Sequence, residues 1–327
     1  MPYEPEVLRR AYARLEERQH LHTEAFEARR AEIYRQLPRV REIGRQLHLS
    51  VVQAATAALR QGVDPAPAIH ALKEENQALQ EERRQLLTLN GWTENDLIET
   101  PLCDRCRDTG WVGAKMCLCL QELCAQEQVK QLSSLLDLQG QSFETFRLDY
   151  YSAVPGPGGI SPRSHMEMVR DICRSYAAQF GRSGLKNLFL SGGPGLGKTF
   201  LSACIAGVVS RSGYSVVYDT AIEVFGAFES EKFGREDGRT PYRFLKCDLL
   251  ILDDLGTELT TPFLQSALYQ LINNRLITGK HTVISSNLSL REVRERYSGQ
   301  VASRLEGEYR LLEFWGEDIR KLKNQAR

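Results

Sequence analysis

From Glu6 to about Leu89 the apolar positions are thinly spread among Arg, Glu, Gln, Leu and Ala, and glycine is scarce. That composition predicts helices. Breaks are expected at Pro38 and across Gly62-Val63-Asp64-Pro65-Ala66-Pro67, giving two or three helices and then a last long one. In that last helix Ile69, Leu72, Asn76, Leu79, Arg83 and Leu86 recur at steps of three and four, with Leu72, Leu79 and Leu86 on one heptad seam. Polar Asn76 and Arg83 on the other seam position argue against a long dimeric coil and for an antiparallel hairpin within one chain. Beyond 164 the pattern changes. Short apolar runs at 187–191, 215–219, 248–252, 282–286 and 310–314 alternate with helical stretches, which predicts a parallel sheet covered on both faces. The patterning divides the chain into a helical region (1–97), a cysteine-rich module (98–130), a linker (131–164) and an α/β domain (165–327). Pro155-Gly156-Pro157-Gly158-Gly159 is the linker's most flexible point.

With 327 residues the chain is long enough for two domains and a generous core. Its 42 basic and 42 acidic residues balance, so a nucleic-acid surface would have to be local. No run approaches the ~18 apolar residues of a membrane span. Met1-Pro2-Tyr3-Glu4-Pro5-Glu6 lacks the basic start and apolar core of a signal peptide. A cytoplasmic location is therefore expected, in which the eight cysteines are thiols or metal ligands rather than disulfides.

Gly192-Gly193-Pro194-Gly195-Leu196-Gly197-Lys198-Thr199 fits the phosphate-loop pattern at every fixed position, between an apolar strand and a helix. Glycines there let backbone N–H groups turn inward around a triphosphate, and the helix N-terminus adds positive dipole character. Lys198 is expected to neutralise the β- and γ-phosphates of ATP, and the Thr199 hydroxyl to ligate Mg²⁺. Downstream, Cys247-Asp248-Leu249-Leu250-Ile251-Leu252-Asp253-Asp254 reads as a buried parallel strand delivering two acids to its C-terminal edge. Asp253 is expected to hold Mg²⁺, directly or through water, and Asp254 to orient the attacking water.

The cysteine module contains Cys103-Asp104-Arg105-Cys106, then a stretch with glycines at both bends, then Cys117-Leu118-Cys119, with Cys124 shortly after. The first pair has the spacing of a zinc knuckle, and the stretch between has hairpin character. Alternate residues of a straight strand point to opposite faces. Either the chain turns at Leu118, or Cys124 replaces one partner as a ligand of Zn²⁺. Crowded reduced thiols without a metal are the alternative, while a redox C-x-x-C lacks its βαβ context. Cys173, Cys204 and Cys247 sit in apolar contexts and read as core.

With these motifs in place the chain resembles the bacterial replicative helicase loaders of the DnaC/DnaI type and their transposition relatives of the IstB type, which are AAA+ ATPases. Leu252-Asp253-Asp254-Leu255-Gly256-Thr257-Glu258, Ser285-Ser286-Asn287-Leu288, Ala302-Ser303-Arg304-Leu305 and Gly316-Glu317-Asp318-Ile319-Arg320 carry the resemblance. It is strong from about Ser142 onward and moderate across Cys103–Cys119, while the helices match only in position and character. It implies an α/β AAA+ P-loop fold with a five-stranded parallel sheet, preceded by N-terminal helices and a small zinc-binding module, without a C-terminal lid. By the same resemblance Asn287 looks like the sensor-1 position, Arg304 like an arginine finger reaching a neighbouring subunit's nucleotide, and Arg320 like a sensor-2 arginine acting in cis.

Two positions depart from the pattern. Gln300 stands where many relatives carry Arg, which removes an expected cation and its phosphate contact; Asp254 stands where many AAA+ ATPases carry Glu, and its shorter side chain implies slow hydrolysis. By the same resemblance, residues 221–239 look like the helical insertion that DNA-engaging members use to line a channel. Lys232, Arg235 and Arg239 are then candidates for single-stranded DNA phosphates, and Phe228 and Phe233 for base stacking. Val224, Phe225 and Phe228 at helical spacing equally suit packing on the sheet. The implied activity is ATP-dependent loading of a hexameric replicative helicase, gripped through the N-terminal region, onto single-stranded DNA, with self-association through AAA+ interfaces. Alternatives are an IstB-like transposition ATPase and a nucleotide-switched adaptor with little turnover.

Overall fold

The computed structural model describes residues 3–59, 66–136, 140–156, 158–182, 184–234 and 241–325. Most of the break read at 62–67, Pro157, and the DNA candidates Arg235 and Arg239 lie outside the described residues. The chain divides into two compact units, Ala13–Cys117, and Leu118–Arg327 together with Met1–Tyr12.

Helix α1 (Pro5–Gln36) stops one residue before Pro38, which opens α2 (Pro38–Leu59), and α3 is Ala66–Leu89. Proline suits the first turn of a helix, where its missing N–H has no partner to lose. Helices α2 and α3 pair as the expected antiparallel hairpin: Arg39 at the start of α2 makes a two-pronged ion pair, 2.7 and 2.9 Å, with Glu82 near the end of α3. The seam residues Leu72, Asn76, Leu79, Arg83 and Leu86 are half-buried, and the Asn76 Oδ1 is buried with no partner among the described residues. Ile33, Val40 and Leu87 form the small core of this unit. Strands β1 (Trp111–Val112) and β2 (Lys115–Met116) make the hairpin of the cysteine module.

Besides the start of α1, the larger unit contains α4 (Leu118–Leu135) and α5 (Pro162–Ala178). The Ser161 side chain caps α5 by accepting from the Ser164 N–H, ahead of proline in the first turn, an arrangement that contributes about 1 kcal/mol. Strand and helix then alternate: β3 (Asn187–Ser191), α6 (Lys198–Arg211), β4 (Val216–Thr220), α7 (Ala221–Lys232), α8 (Tyr242–Lys246), β5 (Leu249–Leu255), α9 (Pro262–Ile277), β6 (His281–Ser286), α10 (Leu290–Arg296), α11 (Gly299–Glu308), β7 (Arg310–Glu313) and α12 (Ile319–Gln325). The five long strands form one parallel sheet in the order β4-β5-β6-β3-β7.

All five expected strands are present. Strands β4 and β5 begin one residue later than the apolar runs, because Ser215 and Asp248 are tied to each other there: the Ser215 N–H and hydroxyl both donate to Asp248 Oδ2, at 3.0 and 2.8 Å. Successive strand residues feed opposite cores. Leu188, Leu190, Leu249, Ile251 and Val283 pack with α5 and α6, whereas Phe189, Leu250, Leu252 and Ile284 pack with α7 and α9. The segment 131–164 adds Leu132, Phe143, Phe146 and Tyr151 to the first of these cores. Cys173, Cys204 and Cys247 are buried, as read.

Candidate nucleotide and metal sites

The loop between β3 and α6 bends through left-handed backbone at Gly195 (φ 72°) and Gly197 (φ 89°), which glycine adopts without a Cβ penalty. Both positions are also crowded. A Cβ on Gly195 would lie 1.8 Å from Asp318 Oδ1, and one on Gly197 would lie 3.0 Å from the Phe146 ring and 3.1 Å from the Tyr151 hydroxyl. The loop is thus clasped from two sides. Tyr151 donates to the Leu196 carbonyl at 2.9 Å, and the Ile319 N–H to the Gly195 carbonyl at 3.1 Å.

Lys198 opens α6, and its ammonium donates to the carbonyls of Gly192 (2.6 Å) and Gly193 (2.7 Å) and to Asn287 Oδ1 (2.8 Å). Burial pushes this amine down to about 8, against the opposing pull of Asp254 and Asp253 and with added repulsion from Arg320. Asn287 follows β6 directly and donates from Nδ2 to Asp254 Oδ1 at 3.0 Å. Lysine, asparagine and the second acid therefore form one hydrogen-bonded chain across the mouth of the cleft.

The two acids are displayed side by side because β5 is bulged there. Leu252 pairs with Ile284 and Leu255 with Ser286, so Asp253 and Asp254 together oppose Ser285 alone. Asp254 takes left-handed backbone (φ 59°), uncommon for a residue with a side chain. Ser285 stitches the bulge: its hydroxyl accepts from the Asp254 N–H at 3.0 Å and donates to Asp253 Oδ1. Asp253 Oδ2 accepts from Thr199 Oγ1 at 3.1 Å and from the Tyr218 hydroxyl. Burial, and then the adjacent Asp253 charge, push the Tyr218 hydroxyl far above its ordinary value and keep it a donor. Burial first, and then Asp253, also raise Asp254 above its ordinary value, with Lys198 and Arg320 opposing.

A cleft of about 410 Å³ collects Pro194, Gly195, Leu196, Gly197, Lys198 and Thr199 with Asp254, Asn287 and Arg320. Arg304, half-buried on α11, is not among its lining residues. Ser285 and Ile319 also line it, and so do Gln141, Thr145, Phe146, Arg147, Tyr150, Phe200 and Lys323, which were not picked out as site residues from sequence. The aromatics at 146–151 lie in the stretch read as a linker, where their crowding was the one available signal. Oxygen donors Thr199 and Asp253, in contact and beside the loop, fit a hard divalent cation such as Mg²⁺.

The Sγ atoms of Cys103, Cys106, Cys117 and Cys119 all lie within 4.8 Å of one another, with Cys103 and Cys117 3.7 Å apart. Tetrahedral zinc with bonds of about 2.3 Å places its sulfurs roughly 3.8 Å apart, so the donor set fits Zn²⁺. The chain does turn at Leu118, where α4 begins, and this brings Cys119 round to the other three. Cys124 lies outside the cluster, fully buried, its thiol pushed up to about 11 by burial. The Cys106 N–H, and then its thiol, lower Cys103 to about 7.

On α7, Val224 and Phe225 are buried in the core, and half-buried Phe228 packs against the Phe244 ring at 6.4 Å. Phe233 is 65 % exposed. Lys232 is exposed, its ammonium 4.3 Å from the Phe263 ring centroid.

Residues 176–304 match the family described as IstB-like ATP binding protein. Three relatives illustrate the neighbourhood. An uncharacterized protein, YdaV, of Escherichia coli is 27 % identical over 38 % of this chain and 50 % of its own. A putative ATP-binding protein in an insertion sequence of Mycobacterium tuberculosis is 28 % identical over 39 % and 49 %. The replicative helicase loader DnaC of Buchnera aphidicola is 26 % identical over 45 % and 60 %. The chain spans about half the length of the relatives it matches.

Proposed function

We propose, from the premise that residues 176–304 carry an IstB-like ATP-binding AAA+ ATPase, that this protein hydrolyses ATP to load a replicative DNA helicase onto single-stranded DNA. The observation that supports hydrolysis best is the convergence of Lys198, Thr199, Asp254 and Asn287 on one cleft beside the phosphate loop, with Asp253 bonded to Thr199 just behind it. In this reading the loop's backbone and Lys198 hold the phosphates, and the Lys198 ammonium exchanges its carbonyl and Asn287 partners for phosphate oxygens. Thr199 and Asp253 hold magnesium, which spreads the charge of the β- and γ-phosphate oxygens when bound. Asp254, raised above its ordinary value by burial, orients water and accepts its proton, with Asn287 fixing the carboxylate. Arg320 acts within the chain and Arg304 reaches a neighbouring copy's nucleotide. Cys103, Cys106, Cys117 and Cys119 bind zinc.

Loading rather than transposition is favoured by the helical region and four-cysteine module ahead of the ATPase, since the plain IstB type has little in front. Those parts would grip the helicase, and Lys232 would contact DNA phosphate. Co-purification of the full chain with the host's replicative helicase, followed by ATP-dependent delivery of that helicase onto a single-stranded circle, tests the reading. Capture of a transposase with ATP-dependent coating of duplex DNA would replace it. ATP binding with no turnover, with or without single-stranded DNA, would reduce the protein to a nucleotide-switched adaptor.

A further inference from the structure

We infer that Tyr218, on the edge strand β4, is a positioning residue that sets the orientation of the Asp253 carboxylate for the magnesium ion of nucleotide binding. The inference rests on the ATPase reading above. No part of the phosphate-loop or acidic-strand pattern points to Tyr218; its role follows from strand register alone.

In the parallel ladder Tyr218 stands directly opposite Ile251, and Thr220 opposite Asp253. Ile251 and Asp253, two apart on β5, face the same side of the sheet, so Tyr218 projects over the same surface as the carboxylate it reaches. Its ring is buried among the apolar residues between the sheet and α6, which leaves the hydroxyl one direction in which to find a partner. That partner is Asp253 Oδ2, the same oxygen that faces Thr199 at 3.1 Å. The other oxygen, Oδ1, accepts from Ser285 on β6. Hydroxyls from α6, β4 and β6 thus approach one carboxylate from three sides, and its rotation is determined by them rather than by its own backbone.

Removing the Tyr218 hydroxyl leaves the buried Asp253 carboxylate held by two hydroxyls instead of three, with Thr199 alone on Oδ2. A group that holds a metal-binding carboxylate in place affects the metal more than the nucleotide: the phosphate loop and Lys198 remain untouched. Loss of such outer-sphere partners costs about tenfold or more in metal affinity.

The test compares the full-length wild type with Tyr218→Phe, which keeps the ring and its packing. Affinity for a fluorescent ATP analogue is titrated in EDTA and then against rising Mg²⁺, and thermal midpoints are recorded beside it. The expected result is an unchanged affinity in EDTA with a Mg²⁺ half-saturation raised about tenfold. An unchanged Mg²⁺ dependence, or an equal loss in EDTA and in Mg²⁺, would overturn the inference, the latter because it marks a merely structural role. Ser285→Ala gives a second reading should Tyr218→Phe fold poorly: it removes the donor to Oδ1 and is expected to raise the half-saturation in the same direction. A wild type whose ATP binding ignores Mg²⁺ would likewise overturn the inference, whereas a wild type that releases no phosphate from ATP with Mg²⁺, with or without single-stranded DNA, would remove the ATPase reading itself.

Discussion

Lys198 has three acceptors within 2.8 Å and a burial that costs its charge, and the balance between them is measurable. Because burial holds the amine at about 8, below its ordinary value, the ammonium is complete below that pH and is lost as pH rises through it. Triphosphate needs the charged form, so ATP affinity is expected to be flat from about pH 7 up to that value and then to fall by up to about tenfold per pH unit. Calorimetric titration across that range checks it, and Lys198→Ala should bind weakly, by about 2–3 kcal/mol, with the pH step gone. Asp254 gives the complementary case. Asp254→Asn keeps the shape of the bulge and the contact to Asn287 but supplies no base, so binding should persist while turnover drops by about 10²–10⁴-fold, read by phosphate release. Wild-type turnover in that variant would remove Asp254 from the chemistry.

At the scale of elements, the start of α4 decides how the cysteine module is completed. Cys117 ends the extended segment after β2 and Cys119 lies in the first turn of the helix, so the change of geometry at Leu118 turns a C-x-C pair, which a strand would splay, onto one point. Purified protein is expected to carry about one zinc per chain, and chelation should unfold the module locally. Cys119→Ser should lower the zinc content measured by elemental analysis. Cys124→Ser should leave it intact, since Cys124 is a buried core thiol outside the cluster. Equal zinc loss in both variants would contradict that assignment.

For the whole molecule the decisive contrast is between the two arginines that the family pattern singled out. Arg320 lines the chain's own cleft, and Arg304 on α11 does not. Turnover is therefore expected to require assembly. Arg304→Ala should bind ATP normally yet be inactive alone, and mixing it with inactive Asp254→Asn should restore activity wherever an intact Arg304 faces an intact Asp254. Absence of rescue in demonstrably mixed oligomers, measured by ATPase rate, would confine both residues to one subunit.

What the sequence determined by itself is what local spacing encodes. The phosphate loop, the acidic strand, the alternation that makes a parallel sheet and the helix break at Pro38 each depend on residues close in the chain, whose period or backbone freedom is readable without a partner. Tertiary structure alone decided which distant residues meet. Tyr218 and Ser285 reach Asp253 because β4 and β6 flank β5 in one register, and the two acids are displayed together because Ser285 alone opposes them both. The aromatics Phe146 and Tyr151 close on Gly197, and Asp318 on Gly195, through contacts across long chain separations. Phe228, a base-stacking candidate by sequence, is half-buried because it packs against the buried Phe244 ring. Hydrophobic pattern specifies that a side chain is buried, and only packing specifies against what.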